Sequence, residues 1–325
     1  MSVSRRRLLR AAGAVAVLPM LSRGVAASDY PNRPIRWIVS FPAGGGNDIV
    51  ARLIGQYLSE KLGQPIVIEN KSGAGGNVGM AAVVNSPPDG YTIGFAGPNN
   101  AISASVYAHL PFDFIRDTVP IGGTMLLTNV MEVNNEVPVH SVAELIAYAK
   151  AHPGKLNVAS PGTGASPHMS AELFKIMAGV DIVHVPYRGG APALADLIPG
   201  HVQMMFDNLT GSIEQIKAGR IRALGVTSAK RSIALPDVPT IGETLPGYQV
   251  DVWHAIVAPK GTPPEIVDVL YKALSAVLDE PALQARFAAL GGEPLRLSPA
   301  ELGAFIVADT EKWAKVAKTA NVRVD

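Results

Sequence analysis

The segment IRWIVSFPAGGG, residues 35–46, decides the fold, because an apolar run leads directly into a glycine-rich segment. Residues 35–39 predict a buried strand, and residues 41–46 predict a loop in which glycine permits tight backbone turns. Apolar residues at helical spacing then predict a helix over residues 48–62, which ends at Gly63. A strand, a small-residue loop and a helix in this order make one unit of a parallel α/β sheet.

The same cycle recurs along most of the chain. Further strands are predicted at residues 65–69, 91–95, 156–159, 182–185, 202–206, 221–226 and 252–258, and further helices at 78–84, 100–109, 141–152, 167–178, 192–198 and 211–218. After residue 258 the pattern predicts helices only. We therefore predict two α/β domains, residues 29–128 with 252–325 and residues 129–251, joined by two crossings that form a hinge beside a central ligand cleft.

The first 27 residues predict a signal peptide. Arg5, Arg6, Arg7 and Arg10 form a positive region, residues 11–21 are apolar but too few to span a bilayer, and Val25-Ala26-Ala27 fits cleavage after Ala27. The arginine motif resembles the twin-arginine consensus, so that route and the Sec route both stay open. A basic arm or an uncleaved anchor are the alternatives. With no cysteine for lipid attachment, we expect a freely diffusing, monomeric periplasmic protein.

Composition and charge argue against two other classes of protein. Hydrophobic residues make up 48% and charged residues 17% of the chain, which is typical of a globular protein and not of a disordered one. The formal net charge is +1, and it becomes −4 without the five arginines that precede Ser28. Neither value indicates the basic surface that is typical of nucleic-acid binding.

Small polar loops follow the predicted strands, at the edge of a parallel sheet where ligands bind. The candidate ligand-binding residues in these loops are Phe41, Pro42, Ala43, Gly44, Gly45, Gly46, Ser72, Ala74, Gly75, Gly76, Pro98, Asn99, Ser160, Thr163, Gly164 and Ala165. Glycine lets the backbone approach a ligand, and the following helix presents free N–H groups and the positive end of its dipole. Two facing helix ends would clamp an anion. The glycines of any single loop are also explained by a tight turn alone. The recurrence of such loops after several strands favours a ligand-binding site.

Four side chains near these loops carry further predictions. Arg188 pairs with a ligand carboxylate or shapes its own loop by binding carbonyl groups. Asp207 accepts a hydrogen bond from a ligand ammonium or hydroxyl group, or it caps the next helix. Asp48 is interpreted mainly as a helix-start residue. His168, at the start of a predicted helix, is a polar wall residue or a helix-end donor.

The sequence offers little for catalysis. The loops lack the complete glycine pattern of dinucleotide-binding sites and the Gly-Lys-Ser/Thr of a P-loop. The serine-hydrolase motif is also missing, and the chain has no cysteine nucleophile. His184, His201 and Asp207 are the best available metal ligands, but their spacing is weak evidence. We therefore expect no enzyme activity, no cofactor and no metal site.

Several segments, in order along the chain, carry a family resemblance. They are FPAGGGND (41–48), ENKSGAGGNVG (69–79), PDGYT (88–92), the Ser160-x-Gly162-x-Gly164-x-x-x-His168 pattern, VPYRG (185–189), LPDVPT (235–240) and APKGTP (258–263). Together they resemble the extracytoplasmic receptors of tripartite tricarboxylate transporters, the Bug family. The resemblance implies a periplasmic-binding-protein type II fold, a clamshell that passes a small carboxylated solute to integral-membrane transporter subunits.

The resemblance also implies how one ligand carboxylate is held. Residues 41–46 and 72–76 of the first domain would face residues 160–165 and the segment Tyr187–Arg188 of the second, partly through bridging waters. Ala165 stands where the family often has Ser or Thr, so we expect only its backbone N–H to serve. The ligand class stays open among di- and tricarboxylates, acidic amino acids and aromatic acids. A ligand sensor that works through a partner sensor protein and, less favoured, a secreted α/β enzyme remain alternatives.

Overall fold

The computed structural model describes residues 30–320 together with residues 322 and 323. The predicted signal peptide, residues 1–27, lies outside the described residues, as does the first residue of the predicted first domain. From Pro31 onward the chain forms one compact unit.

The elements alternate between strand and helix as the sequence predicts. The strands are β1 (Ile35–Val39), β2 (Ile66–Asn70), β3 (Thr92–Ala96), β4 (Thr118–Asn134), β5 (Asn157–Ser160), β6 (Val183–Pro186), β7 (Met204–Asn208), β8 (Ile221–Val226), β9 (Asp251–Pro259) and β10 (Glu293–Pro294). The helices are α1 (Gly46–Leu62), α2 (Asn77–Val84), α3 (Pro98–Val106), α4 (Phe114–Asp117), α5 (Val142–Ala151), α6 (Ser166–Ala178), α7 (Gly190–Leu197), α8 (Leu209–Lys217), α9 (Ile241–Thr244), α10 (Pro264–Leu278), α11 (Pro281–Ala289) and α12 (Pro299–Ala320).

The strands form one mixed sheet in the order β2-β1-β3-β9-β4-β7-β5-β6, and β8 and β10 also pair with β4. β1 is parallel to β2 and β3, and β5 is parallel to β6 and β7. The prediction of a parallel sheet is therefore correct for these two groups and wrong for the centre. There β9 and β4 run antiparallel to each other and to their neighbours β3 and β7.

The sequence analysis missed β4, a 17-residue strand. Most of its residues are buried on both faces, so it lacks the polar alternation by which a half-exposed strand is recognised. Residues 118–128 of β4 pair with β9, whereas residues 129–134 pair with β7 and β8. Thr128 lies opposite Asp251, so the two predicted crossings face each other on adjacent strands. The two-domain division itself stays a prediction.

The C-terminal helices pack back on the earlier part of the chain. α12 lies against α3 and β4. The indole N–H of Trp253 in β9 donates to Asp309 Oδ2 of α12 at 2.7 Å, and the indole N–H of Trp313 donates to the same oxygen at 3.1 Å. Both tryptophans are fully buried, so this carboxyl joins the last helix to the centre of the sheet.

Candidate functional site

A cavity lies where five helices begin, at the carboxyl ends of β1, β3, β5 and β7 and beside the loop after β6. The empty space between its lining atoms, together with the open solvent at its mouth, is about 480 Å³. The lining residues are Phe41, Pro42, Gly45, Gly46, Asn47, Gly97, Pro98, Asn99, Pro161, Ala165, Ser166, Pro167, Gly190, Asp207, Asn208, Val252 and His254. The first turns of α1, α3, α6 and α7 and the N-cap residue of α8, Asn208, contribute to this lining. Their N–H groups have no acceptor within the helix, so the cavity suits an anion.

Asp48 holds the loop before α1 in place. Its Oδ2 accepts hydrogen bonds from Gly44 N and Arg52 Nε, both at 2.9 Å, and its Oδ1 accepts from Asn70 Nδ2 at 3.0 Å. The same amide of Asn70 donates to Phe41 O. Burial alone would raise the pKa of Asp48, but these hydrogen bonds outweigh it and lower the pKa. The carboxylate therefore positions the loop, in agreement with its interpretation as a helix-start residue.

The second glycine loop contacts the opposite side of the site. Gly75 has φ = 62°, and a Cβ atom there would lie 2.5 Å from Thr163 O. Tyr107 Oη donates to the same carbonyl oxygen at 3.0 Å. Ser72 and Ala74 are exposed. This loop therefore forms a contact with residues 160–165, and its residues are not part of the cavity lining.

Two stacked histidines, the buried His168 and the half-buried His184, support the loop before α6. Gly164 N donates to His168 Nδ1 at 3.1 Å, so His168 accepts a hydrogen bond where the sequence analysis suggested a donor. Its ring stacks on His184, with the ring centroids 4.0 Å apart. His184 Nε2 lies 2.7 Å from Ser160 Oγ. Burial, the largest cause, lowers the pKa of His168 to about 3 and that of His184 to about 4, so both rings are neutral.

The segment after β6 differs from the arrangement that the resemblance implied. Tyr187 Oη donates to Asp196 Oδ2 at 2.8 Å and so points along α7, not into the cavity. Burial and this carboxylate raise the pKa of Tyr187 to about 12. Arg188 is exposed and has no hydrogen bond or ion pair with the described residues. The structure therefore does not bring its guanidinium to the cavity.

Of the four side chains with separate predictions, namely Asp48, His168, Arg188 and Asp207, Asp207 lines the cavity. It is 3% exposed and does not cap α8, whose N-cap is Asn208. Ala165 also lines the cavity, but its N–H donates to Gly162 O at 3.2 Å. The expectation that this N–H is free for a ligand is therefore wrong for this conformation, and the free donors of α6 begin at Ser166.

The structure places eight of the 21 predicted site residues in the cavity lining. These residues are Phe41, Pro42, Gly45, Gly46, Pro98, Asn99, Ala165 and Asp207. The others lie in supporting or flanking positions: Ala43, Gly44, Asp48, Ser72, Ala74, Gly75, Gly76, Ser160, Thr163, Gly164, His168, Tyr187 and Arg188. Most missed residues are direct neighbours of predicted ones, so extending each loop by one or two residues would have found them. Val252 and His254 of β9 carried no such signal.

The lining is nearly free of charged side chains. It contains no lysine or arginine, and Asp207 is its one acidic residue. His254 is 1% exposed, and its Nδ1 has no hydrogen-bond partner among the described residues. Burial lowers the pKa of His254 to about 3, so its ring is neutral. Any anion in the cavity would therefore be held by backbone N–H groups and neutral side chains.

Similarity to known proteins agrees with this geometry. Residues 50–322 match the family described as "Tripartite tricarboxylate transporter family receptor". The "Protein BugT" of Bordetella pertussis (strain Tohama I) is 34% identical over 321 residues, which cover 98% of each chain.

Two similar solved structures contain small carboxylates. "R. palustris Rpa4515 with adipate" is 40% identical, with a TM-score of 0.89 and coverage of 91% of this chain and 99% of that one. "MatC (Rpa3494) from Rhodopseudomonas palustris with bound malate" is 32% identical, with a TM-score of 0.84 and coverage of 88% and 99%. Within the part of the chain that the structure describes, no helix has the length and apolar character to cross a membrane. The fold is that of the periplasmic solute-binding proteins, and the chain belongs to the family of tripartite tricarboxylate transporter receptors.

Proposed function

We propose that the protein captures a small carboxylate in this cavity and delivers it to the integral-membrane subunits of a tripartite tricarboxylate-type transporter. The observation that carries the proposal is the convergence of five helix N-termini on a cavity with no lysine or arginine in its lining. Helix N-termini stabilise negative charge, and in a largely buried cavity this effect is screened less than at the surface. The adipate and malate bound in similar structures support a carboxylate as the ligand class.

The carboxylate would be held mainly by the first turns of α1 and α6. The residues of these two helix starts that line the cavity are Phe41, Pro42, Gly45 and Gly46 before and in α1, and Ser166 in α6. Asp48, Gly75 and His168 would act indirectly, because each fixes a loop that carries backbone donors. The rest of the ligand would extend towards Val252 and His254, which we propose as determinants of ligand choice.

We infer that the bound molecule is released unchanged. Among the described residues, the serine–histidine contact that resembles a nucleophile–base pair is Ser160 Oγ beside His184 Nε2. Ser160 is completely buried and does not line the cavity, so a substrate in the cavity has no access to its hydroxyl. Incubation with a bound carboxylate should return that compound intact.

A binding screen tests the proposal. The protein is unfolded and refolded to remove any ligand that co-purified, and its melting temperature is measured with adipate, malate, citrate, glutamate and benzoate. A ligand at 100 times its Kd stabilises the folded state by about 2.7 kcal/mol, which shifts the melting temperature by several degrees. The amines of similar size, putrescine and cadaverine, serve as controls and should give no shift. Stabilisation by the amines alone would contradict an anion site.

The proposed location is the periplasm, which the protein would reach after cleavage behind Ala27 and occupy as a monomer. The arginine-rich start, the short apolar segment and Val25-Ala26-Ala27 support this proposal. Protein isolated from the periplasm should begin at Ser28. Intact Met1 on protein found only in the cytosol would contradict it.

A further inference from the structure

We propose that capture of the carboxylate is linked to uptake of one proton, which Asp207 holds at the cavity floor beside the buried carboxyl of Glu132. The inference rests on the proposed function and adds a pH dependence and a hydrogen-bond donor to the same cavity. The proton comes from solvent, and the Asp207 hydroxyl group then donates a hydrogen bond to the ligand carboxylate.

The two acidic side chains lie on the same face of the sheet. Val130 of β4 is opposite Asp207 of β7, and Glu132 is opposite Met205. Glu132 and Asp207 are therefore diagonal neighbours, close enough for their side chains to interact. Glu132 is completely buried beside Ser212 of α8, and neither of its carboxyl oxygens has a hydrogen-bond partner by distance and angle among the described residues.

Two glycines leave room for the Asp207 carboxyl at the cavity. A Cβ atom at Gly190, the first residue of α7, would lie 2.9 Å from Asp207 Oδ1. A Cβ atom at Gly211 of α8 would lie 2.7 Å from Oδ2. The carboxyl thus sits between the starts of two helices and lines the cavity, with Glu132 behind it.

The described residues provide no cation for either carboxyl. On β8, Arg222 donates to the carbonyl groups of Val137 and Val139. α8 carries Glu214 and Lys217 on its exposed side. On α7, Asp196 is bound to Tyr187 and His201.

The elements on the other sides of the site add no free cation either. α6 packs on the opposite face of the sheet through Phe174 and Phe206, and it carries His168, Glu172 and Lys175. On α1, Arg52 is paired with Asp48. His184 of β6 contacts Ser160, and His254 of β9 is neutral.

Two adjacent buried carboxyl groups without a cation beside them disfavour ionisation of both at once. Burial is the largest cause that raises the pKa of Asp207, to about 7. Burial also raises the pKa of Glu132 well above its usual range, and the negative charge of Asp207 raises the pKa of Glu132 further. The helix ends favour one negative charge in the cavity, and that charge resides on Asp207 when the cavity is empty at high pH. A bound carboxylate supplies the charge itself, so it binds best when Asp207 is protonated.

The sign of the pH dependence follows. Below about pH 7 Asp207 already carries its proton, so affinity for a fully ionised carboxylate is independent of pH. Above about pH 7 each binding event must also take up a proton, so Kd rises up to about tenfold per pH unit. A ligand held through an ammonium group on ionised Asp207 would show the opposite trend.

Calorimetry with adipate and with malate, carried out from about pH 6.5 to 9, tests whether ligand binding is linked to proton uptake. We expect Kd to rise above about pH 7, and titrations at pH 8 in two buffers of different ionisation enthalpy should show uptake of about one proton per ligand. Asp207→Asn keeps a donor but cannot titrate, so its Kd should be independent of pH. Glu214→Gln removes an acid from the exposed side of α8 and should follow the parent.

A measurement without ligand separates the two proposals. Carbon-13 NMR of the aspartate carboxyl groups should show one signal that titrates near pH 7 and that is missing in Asp207→Asn. Absence of that signal, or binding whose Kd is the same across the pH range, overturns the proton link and leaves the proposed function intact. If none of the five carboxylates of the binding screen binds at any pH, the proposed function fails and the proton link fails with it.

Discussion

At the residue scale, Gly45 offers a direct test of the cavity. Its φ of −82° is accessible to any residue, and the nearest atom to an added Cβ would be Pro42 O at 3.6 Å. The side chain of Gly45→Val would therefore occupy the cavity without backbone strain. We expect carboxylate affinity to fall by more than about tenfold, or 1.4 kcal/mol, at nearly unchanged stability. Calorimetry and urea unfolding measure the two quantities.

Gly303→Val on α12 is the matched control for this variant. An added Cβ there would make an ordinary contact of 3.7 Å with Pro120, far from the cavity lining. It should bind as the parent does. Normal binding by folded Gly45→Val would show that the ligand site lies elsewhere.

Arg188 carries the second prediction at this scale. Because the guanidinium is exposed and contacts none of the described polar groups, Arg188→Ala should change Kd by less than about threefold, under 1 kcal/mol. Sequence reasoning could not establish this, since the direction of the loop depends on a distant contact, the hydrogen bond between Tyr187 and Asp196. A loss of affinity of about ten- to a hundredfold would instead support the charge-assisted contact that the sequence suggested.

At the element scale, the attachment of α12 depends on one carboxyl. Asp309→Ala removes the acceptor of both Trp253 and Trp313, and each buried N–H without a partner costs about 1–3 kcal/mol. We expect the free energy of unfolding to drop by about 2–4 kcal/mol in urea titrations. Asp309→Asn retains an acceptor and should lose less.

An exposed helix acid provides the comparison for Asp309. Asp268 pairs with Lys272 at the surface of α10, and exposed pairs of this kind contribute at most about 1 kcal/mol. Asp268→Ala should therefore have a small effect. Equal losses for both variants would contradict the proposed role of Asp309.

The same scale shows what the sequence could predict and why. The bounds of α1 were predicted within two residues because Gly63, with φ = 65°, marks its end unambiguously. The strand β8 was predicted without error. By contrast, β4 was missed because most of it is buried on both faces, and β10 was missed because two residues carry no periodicity. His254 was missed as a lining residue because a lone histidine in a strand has no motif.

At the scale of the whole molecule, the structure represents a closed arrangement around the cavity. A Cβ atom at Gly189 would lie 2.6 Å from Pro42 Cδ, and one at Gly46 would lie 3.3 Å from Asn208 Cβ. These residues come from the two predicted domains, and we propose that they separate when a ligand enters. We expect X-ray scattering to give a larger radius of gyration for refolded, ligand-free protein than for protein saturated with ligand.

A disulfide can test that motion, because the chain has no cysteine that would compete. The 3.3 Å separation is slightly shorter than the roughly 3.5–4.5 Å usual between bridged Cβ atoms. A Cβ atom at Gly46 would also overlap Thr210 Oγ1, so the pair Gly46→Cys with Asn208→Cys and its control both carry Thr210→Ala, and we expect the pair to crosslink across the cavity. The oxidised pair should neither admit nor release ligand, and reduction should restore exchange. The single variant Gly46→Cys, treated identically, is the control. Unimpaired exchange in the oxidised pair would contradict an opening between these residues.

The convergence of five helix starts has a consequence for how this protein can change over evolution. Point mutations replace side chains but leave the peptide group in place, so a site built from main-chain donors survives most of them. The side chains of Val252 and His254, in contrast, can be exchanged without disturbing any helix start. We therefore expect that a few substitutions on β9 can change which carboxylate-containing ligand is bound, while the main-chain N–H groups continue to bind the carboxylate group itself.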